Sequence, residues 1–156
     1  MGEDIVIRKA KIEDLKDIQT LNNKLFEYEY EGWDKDLKLR WPFDEAGTNY
    51  FLDMINNKFV YIAIDNDKPI GYLAGNAKAE ASYNTIKIAE IDNMFVESEY
   101  RGKDIGTMLI NKFKDYCVEN GITTFKVNAS APNSKAIEFY KKNGFKEHDI
   151  NLWCKI

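Results

Sequence analysis

The apolar residues of this chain change their spacing along the sequence, and these changes constrain its fold more than any other feature. Short β-rich runs on either side of a polar turn predict a hairpin, and the chain downstream alternates between strand-like and helical spacing. This order predicts a mixed, largely antiparallel central sheet flanked by helices, in an α/β (α+β) domain. The predicted strands are 59–64, 69–75, 85–96 and 123–129. The predicted helices are 105–119, which Gly121 is expected to end as a C-terminal cap, and 134–142.

The two ends of the chain extend this pattern. A β-branched run at 5–8 predicts a strand, and apolar residues at helical spacing over 12–25 predict an amphipathic helix. From residue 28 to residue 45 the period breaks up into acidic and aromatic residues, which indicates a surface excursion before a second helix near 50–55. Residues 145–156 are predicted to form a final pair of strands.

Size and charge limit the classes of function. A chain of 156 residues fits one domain, so we expect a single domain over 1–156. The net charge is −4 and the basic residues are scattered, which argues against nucleic acid as a partner. No apolar stretch resembles a signal peptide or a membrane span, so a cytoplasmic protein without a membrane partner is expected. Cys117 and Cys154 lie in apolar patterns and are expected to be buried, reduced thiols. With His148 as the sole histidine, no metal site is expected.

A strand, a charged glycine-containing loop and a helix follow one another directly at residues 94–107. The first turn of a helix presents unpaired N–H groups and the positive end of its dipole, which together bind anions such as a diphosphate. Gly102 and Gly106 let the backbone approach such a group closely. Taken alone, the segment is equally consistent with an ordinary strand-to-helix turn.

Two motifs in order resemble those of the GNAT superfamily of N-acetyltransferases. The loop from Arg101 to Gly106 is similar to the R/Q-x-x-G-x-G/A pyrophosphate loop, although Asp104 stands where the family has its middle glycine. Residues 133–145 match N-x-x-A-x-x-F-Y-x-x-x-G-F at every signature position. The resemblance is strong over residues 60–150 and weak in the first half of the chain.

The resemblance implies that acetyl-CoA is the co-substrate and lies between the strand ending at Val96 and the strand ending near residue 129. Backbone groups of the first strand would pair with the pantetheine amides, and the following loop would hold the diphosphate. Asn128 and Asn133 would contact the pantetheine arm and Phe139 would pack beside it, while Asn133 is equally well explained as a helix N-cap. The implied cofactor-binding residues are Met94, Phe95, Val96, Arg101, Gly102, Lys103, Asp104, Ile105, Gly106, Thr107, Asn128, Asn133 and Phe139.

The family also implies how the acetyl group is transferred. Tyr140 stands where the family has a general acid that protonates the coenzyme A sulfur, and a backbone N–H near Phe95 would stabilise the oxyanion. Glu90 and Asp92 alternate on one strand, so both carboxylates share a face. Glu90 is preferred as the base and Asp92 is the alternative. A polar strand face that only stabilises a loop is the competing interpretation of the pair.

The acceptor is left open by the sequence. Carboxylates and aromatic rings over residues 26–34, with Trp41, would suit a cationic amine, and they would equally suit a solvated helix end. A primary amine of a small molecule or a protein is therefore expected, with a homodimer left open. The competing function is a non-catalytic acyl-CoA-binding regulatory module of the same fold. For Asp104 we expect weakened cofactor binding, offset by a side chain that caps the following helix.

Overall fold

The computed structural model describes residues 4–156, so the part of the N-terminal expectation that concerns residues 1–3 lies outside it. Five strands and four α-helices follow one another along the chain, with single helical turns at Ile12–Asp14, Trp41–Phe43 and Ser98–Tyr100. The strands are β1 (Ile5–Lys9), β2 (Phe59–Asp65), β3 (Lys68–Ala77), β4 (Ile88–Val96) and β5 (Thr124–Val127). The helices are α1 (Leu15–Gly32), α2 (Glu45–Asn57), α3 (Ile105–Glu119) and α4 (Ser134–Lys142).

The strands form one sheet in the order β1-β2-β3-β4-β5. Neighbouring strands are antiparallel except β4 and β5, which are parallel. This confirms the predicted mixed, largely antiparallel sheet. The hairpin turn is tighter than the sequence suggested, because Asn66 and Asp67 alone separate β2 from β3 and both have positive φ, as two-residue hairpin turns require.

Helices cover both faces of this sheet. On one face, Ile18 of α1 and Phe51 of α2 pack against Ile62 and Tyr72 in a buried cluster. On the other face, α3 contributes Leu109, Ile110 and Phe113 to a second cluster that includes strand residues Leu73 and Ile91. Apolar residues therefore point to both sides of the central strands, which explains why those strands are nearly continuous apolar runs.

The C-terminal prediction is wrong. Residues 145–156 contain no strand, and Cys154 is exposed rather than buried. Phe145 packs on Phe125, whereas the large apolar side chains from Ile150 to Ile156 are exposed, and no strand is formed there. Cys117 is buried as expected, and burial raises the pKa of its thiol to about 11.

The predicted surface excursion begins later than residue 28, because α1 continues to Gly32. The ring of Phe26 stacks on Trp41 with centroids 5.8 Å apart, so the following segment folds back along the helix and shields its last turns. At the other helix end that the sequence singled out, Gly121 has φ +69° directly after the C-cap of α3 and ends that helix as expected.

Candidate active site

The sheet opens between β4 and β5. The two strands pair over residues 88–91 and 124–127, after which β5 ends while β4 continues to Val96. The N–H of Glu97 donates to the carbonyl of Ile70 in β3, and backbone groups alternate in direction along a strand. Phe95 therefore also turns its backbone groups to β3, whereas those of Met94 and Val96 face the gap.

Arg101 lies at the end of this gap. Its Nε donates to the carbonyl oxygen of Val96 at 2.9 Å. The guanidinium stands 5.4 Å from the ring centroid of Phe95 and 5.6 Å from that of Tyr28, within the range of cation–π attraction. The charge of Arg101 is thus held against the end of β4. Lys103 points to the side, with Nζ 5.0 Å from the ring centroid of Tyr100.

The loop that follows has two left-handed residues, Gly102 with φ +75° and Asp104 with φ +63°. Helix α3 begins at Ile105, so the N–H groups of its first turn, including those of Gly106 and Thr107, are donors without an intrahelical partner. The expected capping by Asp104 is wrong, because its side chain makes no capping hydrogen bond. Side-chain N-caps normally have extended backbone, and the left-handed conformation removes that geometry.

The two family-like motifs meet where Phe139 of α4 packs on Gly106 of α3. A Cβ atom added to Gly106 would lie 2.7 Å from Cζ of Phe139, closer than side chains approach. At the start of α4, Asn133 Oδ1 accepts from the N–H of Ala136 at 3.2 Å, which confirms its helix-capping role. A contact from Asn133 to pantetheine stays a prediction.

Tyr140 follows Phe139 on α4, and its ring packs between Phe139 and Phe145 with centroids 5.3 and 5.4 Å away. Burial raises the pKa of the Tyr140 hydroxyl, and the carboxylate of Glu29 raises it further. Across residues 4–156, none of the side-chain hydrogen bonds involves this hydroxyl. It is therefore a neutral phenol with its proton available for donation.

Glu90 is surrounded by positive charge. Its Oε2 lies 2.9 Å from Lys78 Nζ and 3.8 Å from Lys126 Nζ, and its Oε1 accepts from Asn128 Nδ2 at 3.3 Å. These contacts occupy both oxygens of the carboxylate. Asn128, expected from the sequence at the pantetheine arm, is the third partner of Glu90.

Asp92 has a different environment, at the end of a chain of hydrogen bonds. Tyr50 Oη of α2 donates to Asp92 Oδ2 at 3.1 Å and accepts from Asn93 Nδ2 at 2.9 Å. Tyr72 Oη in turn donates to Asn93 Oδ1 at 2.5 Å and accepts from Asn22 Nδ2 at 2.7 Å. Asp92 is open to solvent, yet partial desolvation of its carboxylate raises its pKa. Sequence reasoning missed these partners, because no local spacing links them to Asp92.

Aromatic rings connect Tyr50, the partner of Asp92, to helix α1. Trp41, stacked on Phe26, lies 5.6 Å from the ring centroid of Tyr50. Glu29 of α1 is half-buried, and burial together with Asp34 raises the pKa of its carboxyl group. The acidic and aromatic residues singled out in the sequence thus include groups close to both Asp92 and Tyr140.

Fold and site together define a class of mixed α/β proteins in which the sheet opens beside a helix N-terminus to receive an extended, anionic ligand. A family model described as the acetyltransferase (GNAT) family matches residues 15–145. The chain belongs to this family.

Relatives and solved structures agree with this assignment. An uncharacterised N-acetyltransferase of Methanocaldococcus jannaschii is 30% identical over 144 residues, which cover 92% of this chain and 62% of the relative. The spermidine N(1)-acetyltransferase of Thermoplasma acidophilum is 25% identical over 153 residues, covering 94% of this chain and 91% of that protein. An aminoglycoside N-acetyltransferase solved with CoA shares the fold, with a TM-score of 0.78 at 15% identity over 100% of this chain and 97% of its own.

The described residues also bear on membranes and metals. Within residues 4–156, no helix combines the length and the apolar character that crossing a membrane demands. In the same part of the chain, no three His, Cys, Asp or Glu side chains are grouped so that they could hold a metal ion.

Proposed function

We propose that this protein transfers the acetyl group of acetyl-CoA to a primary amine. The observation that carries the proposal is the packing of α4 on the start of α3. Phe139 rests on Gly106 in the first turn of α3, and Tyr140 is the next residue on the same helix. A neutral phenol is thereby held near the helix N-terminus at which a diphosphate would bind.

The chain has the groups that acetyl-CoA needs. The backbone groups of Met94 and Val96 face the gap between β4 and β5, where an extended pantetheine arm can add as a strand does. The first-turn N–H groups of α3 and the guanidinium of Arg101 supply positive potential for the diphosphate. The expected oxyanion donor is a backbone N–H near Phe95, and the strand alternation favours that of Met94 or Val96.

Acetyl-CoA supplies an acetyl group activated as a thioester. Like any phenol, Tyr140 holds a proton on its hydroxyl at neutral pH, and burial raises its pKa further; this proton would pass to the departing sulfur. Attack by the amine requires a neutral nitrogen, so a carboxylate must accept a proton from the ammonium form, directly or through water.

Of the two carboxylates, we propose Asp92 as this base in preference to Glu90. A base must have an oxygen free for the acceptor, and both oxygens of Glu90 already have partners in Lys78, Lys126 and Asn128. Desolvation favours proton uptake by Asp92, and the hydrogen bond from Tyr50 fixes one oxygen while the other is left for the acceptor. The preference for Glu90 that the family resemblance implied is therefore reversed in this proposal.

The acceptor we propose is a small amine that carries a second positive charge. Asp92 and Glu29 are carboxylates in partly desolvated positions. Tyr50 contacts Asp92, and its ring centroid lies 5.6 Å from that of Trp41, so aromatic rings that attract cations are present at this end of the site. An ammonium group would offset the cost of desolvating Glu29. The spermidine acetyltransferase relative supports an acceptor of this kind.

A titration with acetyl-CoA, followed by thiol release over an amine panel, tests the whole proposal. The panel contains spermidine, an aminoglycoside, a peptide with a free N-terminus and a peptide with one lysine. We expect binding, and faster thiol release with the first two amines than with the peptides. Binding without release for any amine would instead support the non-catalytic acyl-CoA-binding module. Absence of binding would contradict both functions.

A further inference from the structure

Four hydrogen bonds in series cross the protein from α1 to the solvent-exposed carboxylate of Asp92. They run from Asn22 through Tyr72, Asn93 and Tyr50 to Asp92, with lengths of 2.7, 2.5, 2.9 and 3.1 Å. The five residues come from α1, β3, β4 and α2. Asn22 is 1% exposed and Tyr72 is fully buried, so the series begins in the core. We call these five side chains the hydrogen-bond chain.

The hydrogen-bond chain has one direction, which the carboxylate sets. An ionised carboxylate can only accept, so Tyr50 gives its single proton to Asp92 and must itself accept from Asn93. The amide of Asn93 is thereby oriented with its oxygen toward Tyr72, which donates to it. The proton of Tyr72 is then engaged, so its oxygen accepts from Nδ2 of Asn22. All four donors therefore point toward Asp92.

The buried end of the hydrogen-bond chain shows a consequence of this direction. Oδ1 of Asn22 is buried, and within residues 4–156 it has no hydrogen-bond partner. A buried amide oxygen without a donor is destabilising. Tyr72 does not donate to this oxygen, because its proton goes to Asn93. The observed orientation thus satisfies the carboxylate end and leaves the core end unsatisfied.

Packing alone does not require the hydroxyl group of Tyr72. Its ring lies against that of Phe51, with centroids 6.4 Å apart, in the cluster beneath α1 and α2. A phenylalanine would fill the same space and would bury no polar group. The two hydrogen bonds of the hydroxyl, with Asn22 and Asn93, both belong to the hydrogen-bond chain. The hydroxyl therefore connects the core to the site.

We propose that Tyr72 is a positioning residue for acetyl transfer, which acts through the hydrogen-bond chain to keep the carboxylate of Asp92 ionised and oriented. This inference rests on the proposed role of Asp92 as the base. Aligned hydrogen bonds polarise one another, so a donor two links earlier strengthens the bond that reaches the carboxylate. Tyr72 touches neither acetyl-CoA nor the acceptor in this proposal, and it acts only through its neighbours.

Other charged groups also act on Asp92. Burial raises the pKa of Asp92, and the phenol at the end of the hydrogen-bond chain lowers it. The charge of Glu90 on the same strand raises this pKa further, whereas Lys78, just after β3, and Lys58, just after α2, lower it. In the described chain, none of these three charged side chains is hydrogen-bonded to Tyr72. A changed titration of Asp92 in a Tyr72 variant therefore reports on the hydrogen-bond chain.

An NMR titration of the Asp92 carboxyl carbon in the free protein tests the proposal without acetyl transfer. Tyr72→Phe weakens donation to the ionised carboxylate, so we expect the acid dissociation constant of Asp92 to fall by about two- to tenfold. The acid limb of kcat/KM should move to higher pH by the same factor, while acetyl-CoA affinity stays unchanged. Tyr116→Phe is the matched control, because Tyr116 lies on α3, across the sheet from the hydrogen-bond chain.

A second variant separates the lost donor from a loosened core. Tyr72→Phe leaves the buried Nδ2 of Asn22 without its acceptor, and Asn22→Leu/Tyr72→Phe removes that group as well. We expect the double variant to melt at a higher temperature than Tyr72→Phe and to keep the changed titration of Asp92. Its reference is Asn22→Leu, in which Tyr72 still donates to Asn93.

Three outcomes would overturn the proposal. A double variant in which Asp92 titrates as in Asn22→Leu would show that core packing was the cause. An unchanged titration in Tyr72→Phe would also overturn the role of Tyr72, and the assignment of the base would stand. A carboxyl titration that moves while the acid limb of kcat/KM stays in place would exclude Asp92 as the base, and the role of Tyr72 in acetyl transfer would fail with it.

Discussion

The ring of Phe139 on α4 covers Gly106 in the first turn of α3, and a Cβ atom on Gly106 would lie 2.7 Å from Cζ of Phe139. Two motifs that are separate in the sequence are therefore one packed unit. The glycine is required by the aromatic ring above it as well as by any phosphate that approaches the helix. Tyr140 is the next residue on α4, so its position and its packing depend on the same contact between Phe139 and Gly106.

Gly106→Ala should lower the free energy of unfolding by about 1–3 kcal/mol, the usual cost of overpacking. In the Gly106→Ala/Phe139→Leu double variant, the ring is gone, so most of the lost free energy of unfolding should be recovered, as measured by urea denaturation. Gly32→Ala is the control, since nothing lies within 4 Å of a Cβ atom there. It should be neutral or slightly stabilising. Strict additivity of the Gly106 and Phe139 substitutions would contradict direct contact.

Tyr140→Phe should lower turnover by about 100- to 10,000-fold, the range for a lost general acid, while acetyl-CoA affinity stays near wild type. A kcat assay measures the loss of turnover, and calorimetric titration measures the affinity for acetyl-CoA, so the two effects are separated. Tyr116→Phe is the matched control, because Tyr116 is a partly buried tyrosine packed on Phe59 and Phe113. Unchanged turnover in the Tyr140 variant would reduce that residue to a packing role.

Asp92→Asn should lower kcat/KM at neutral pH by about 100-fold or more, with part of the loss recovered at high pH, where the amine deprotonates unaided. Glu90→Gln should lower kcat/KM by a smaller factor, because the carboxylate of Glu90 is already paired with Lys78 and Lys126. A larger loss in the Glu90 variant would assign the base to Glu90. Both variants should be assayed with the same acceptor amine over the same range of pH.

The pH dependence of kcat/KM provides an independent test of Asp92 as the base. Desolvation raises the pKa of Asp92 above its usual value of 3.8, whereas the hydrogen bond from Tyr50 lowers it. Tyr50→Phe should therefore move the acid limb of kcat/KM to higher pH, since the ionised base loses a donor. A limb that stays in place or moves to lower pH would separate Asp92 from the proton transfer.

Asp104→Gly should tighten acetyl-CoA binding by up to about tenfold, or roughly 1.4 kcal/mol, because it removes a carboxylate from the diphosphate loop. The same change should raise stability by about 1 kcal/mol, since Asp104 has φ +63° and makes no capping hydrogen bond. Asp104→Asn separates the causes, because it removes the charge and keeps the backbone strain. If neither variant improves binding, the carboxylate is directed away from the ligand.

Asp14→Asn should destabilise the protein by about 1–2 kcal/mol at pH 7, the range for hydrogen bonds to a charged group. Asp14 accepts from Arg8 at 2.7 and 2.9 Å and from the N–H of Lys11 at 2.7 Å. The hydrogen bonds from Arg8, above all, lower the pKa of Asp14 below its usual 3.8. This stabilisation is complete above that usual value and is lost as the pH falls through the folded-state pKa.

The difference between wild type and Asp14→Asn should consequently shrink in acid, which thermal melts from pH 7 to pH 2.5 would measure. Asp53→Asn is the control, because the Asp53 side chain is half-exposed and its partners are local on α2. A difference that is constant over the whole pH range would show that the ion pair contributes nothing to stability.

The sequence by itself determined the mixed sheet, the strand–loop–helix unit at 94–107 and the helix with Tyr140. These features depend on hydrophobic period, glycine positions and helix ends within short windows, so local physics is enough to specify them. The same local reasoning placed Gly121 at the end of α3 and Asn133 at the start of α4. It failed for residues 145–156, where the alternating pattern predicts strands and the structure has none.

Only the tertiary structure distinguishes the surroundings of the two carboxylates. Glu90 and Asp92 are equivalent in strand periodicity, and they differ because Lys78 and Lys126 come to one while Tyr50 comes to the other. The hydrogen-bond chain that reaches Asn22 joins segments far apart in sequence. Partners of this kind are set by strand register and by how helices pack on the sheet. Neither leaves a signal in the spacing of nearby residues.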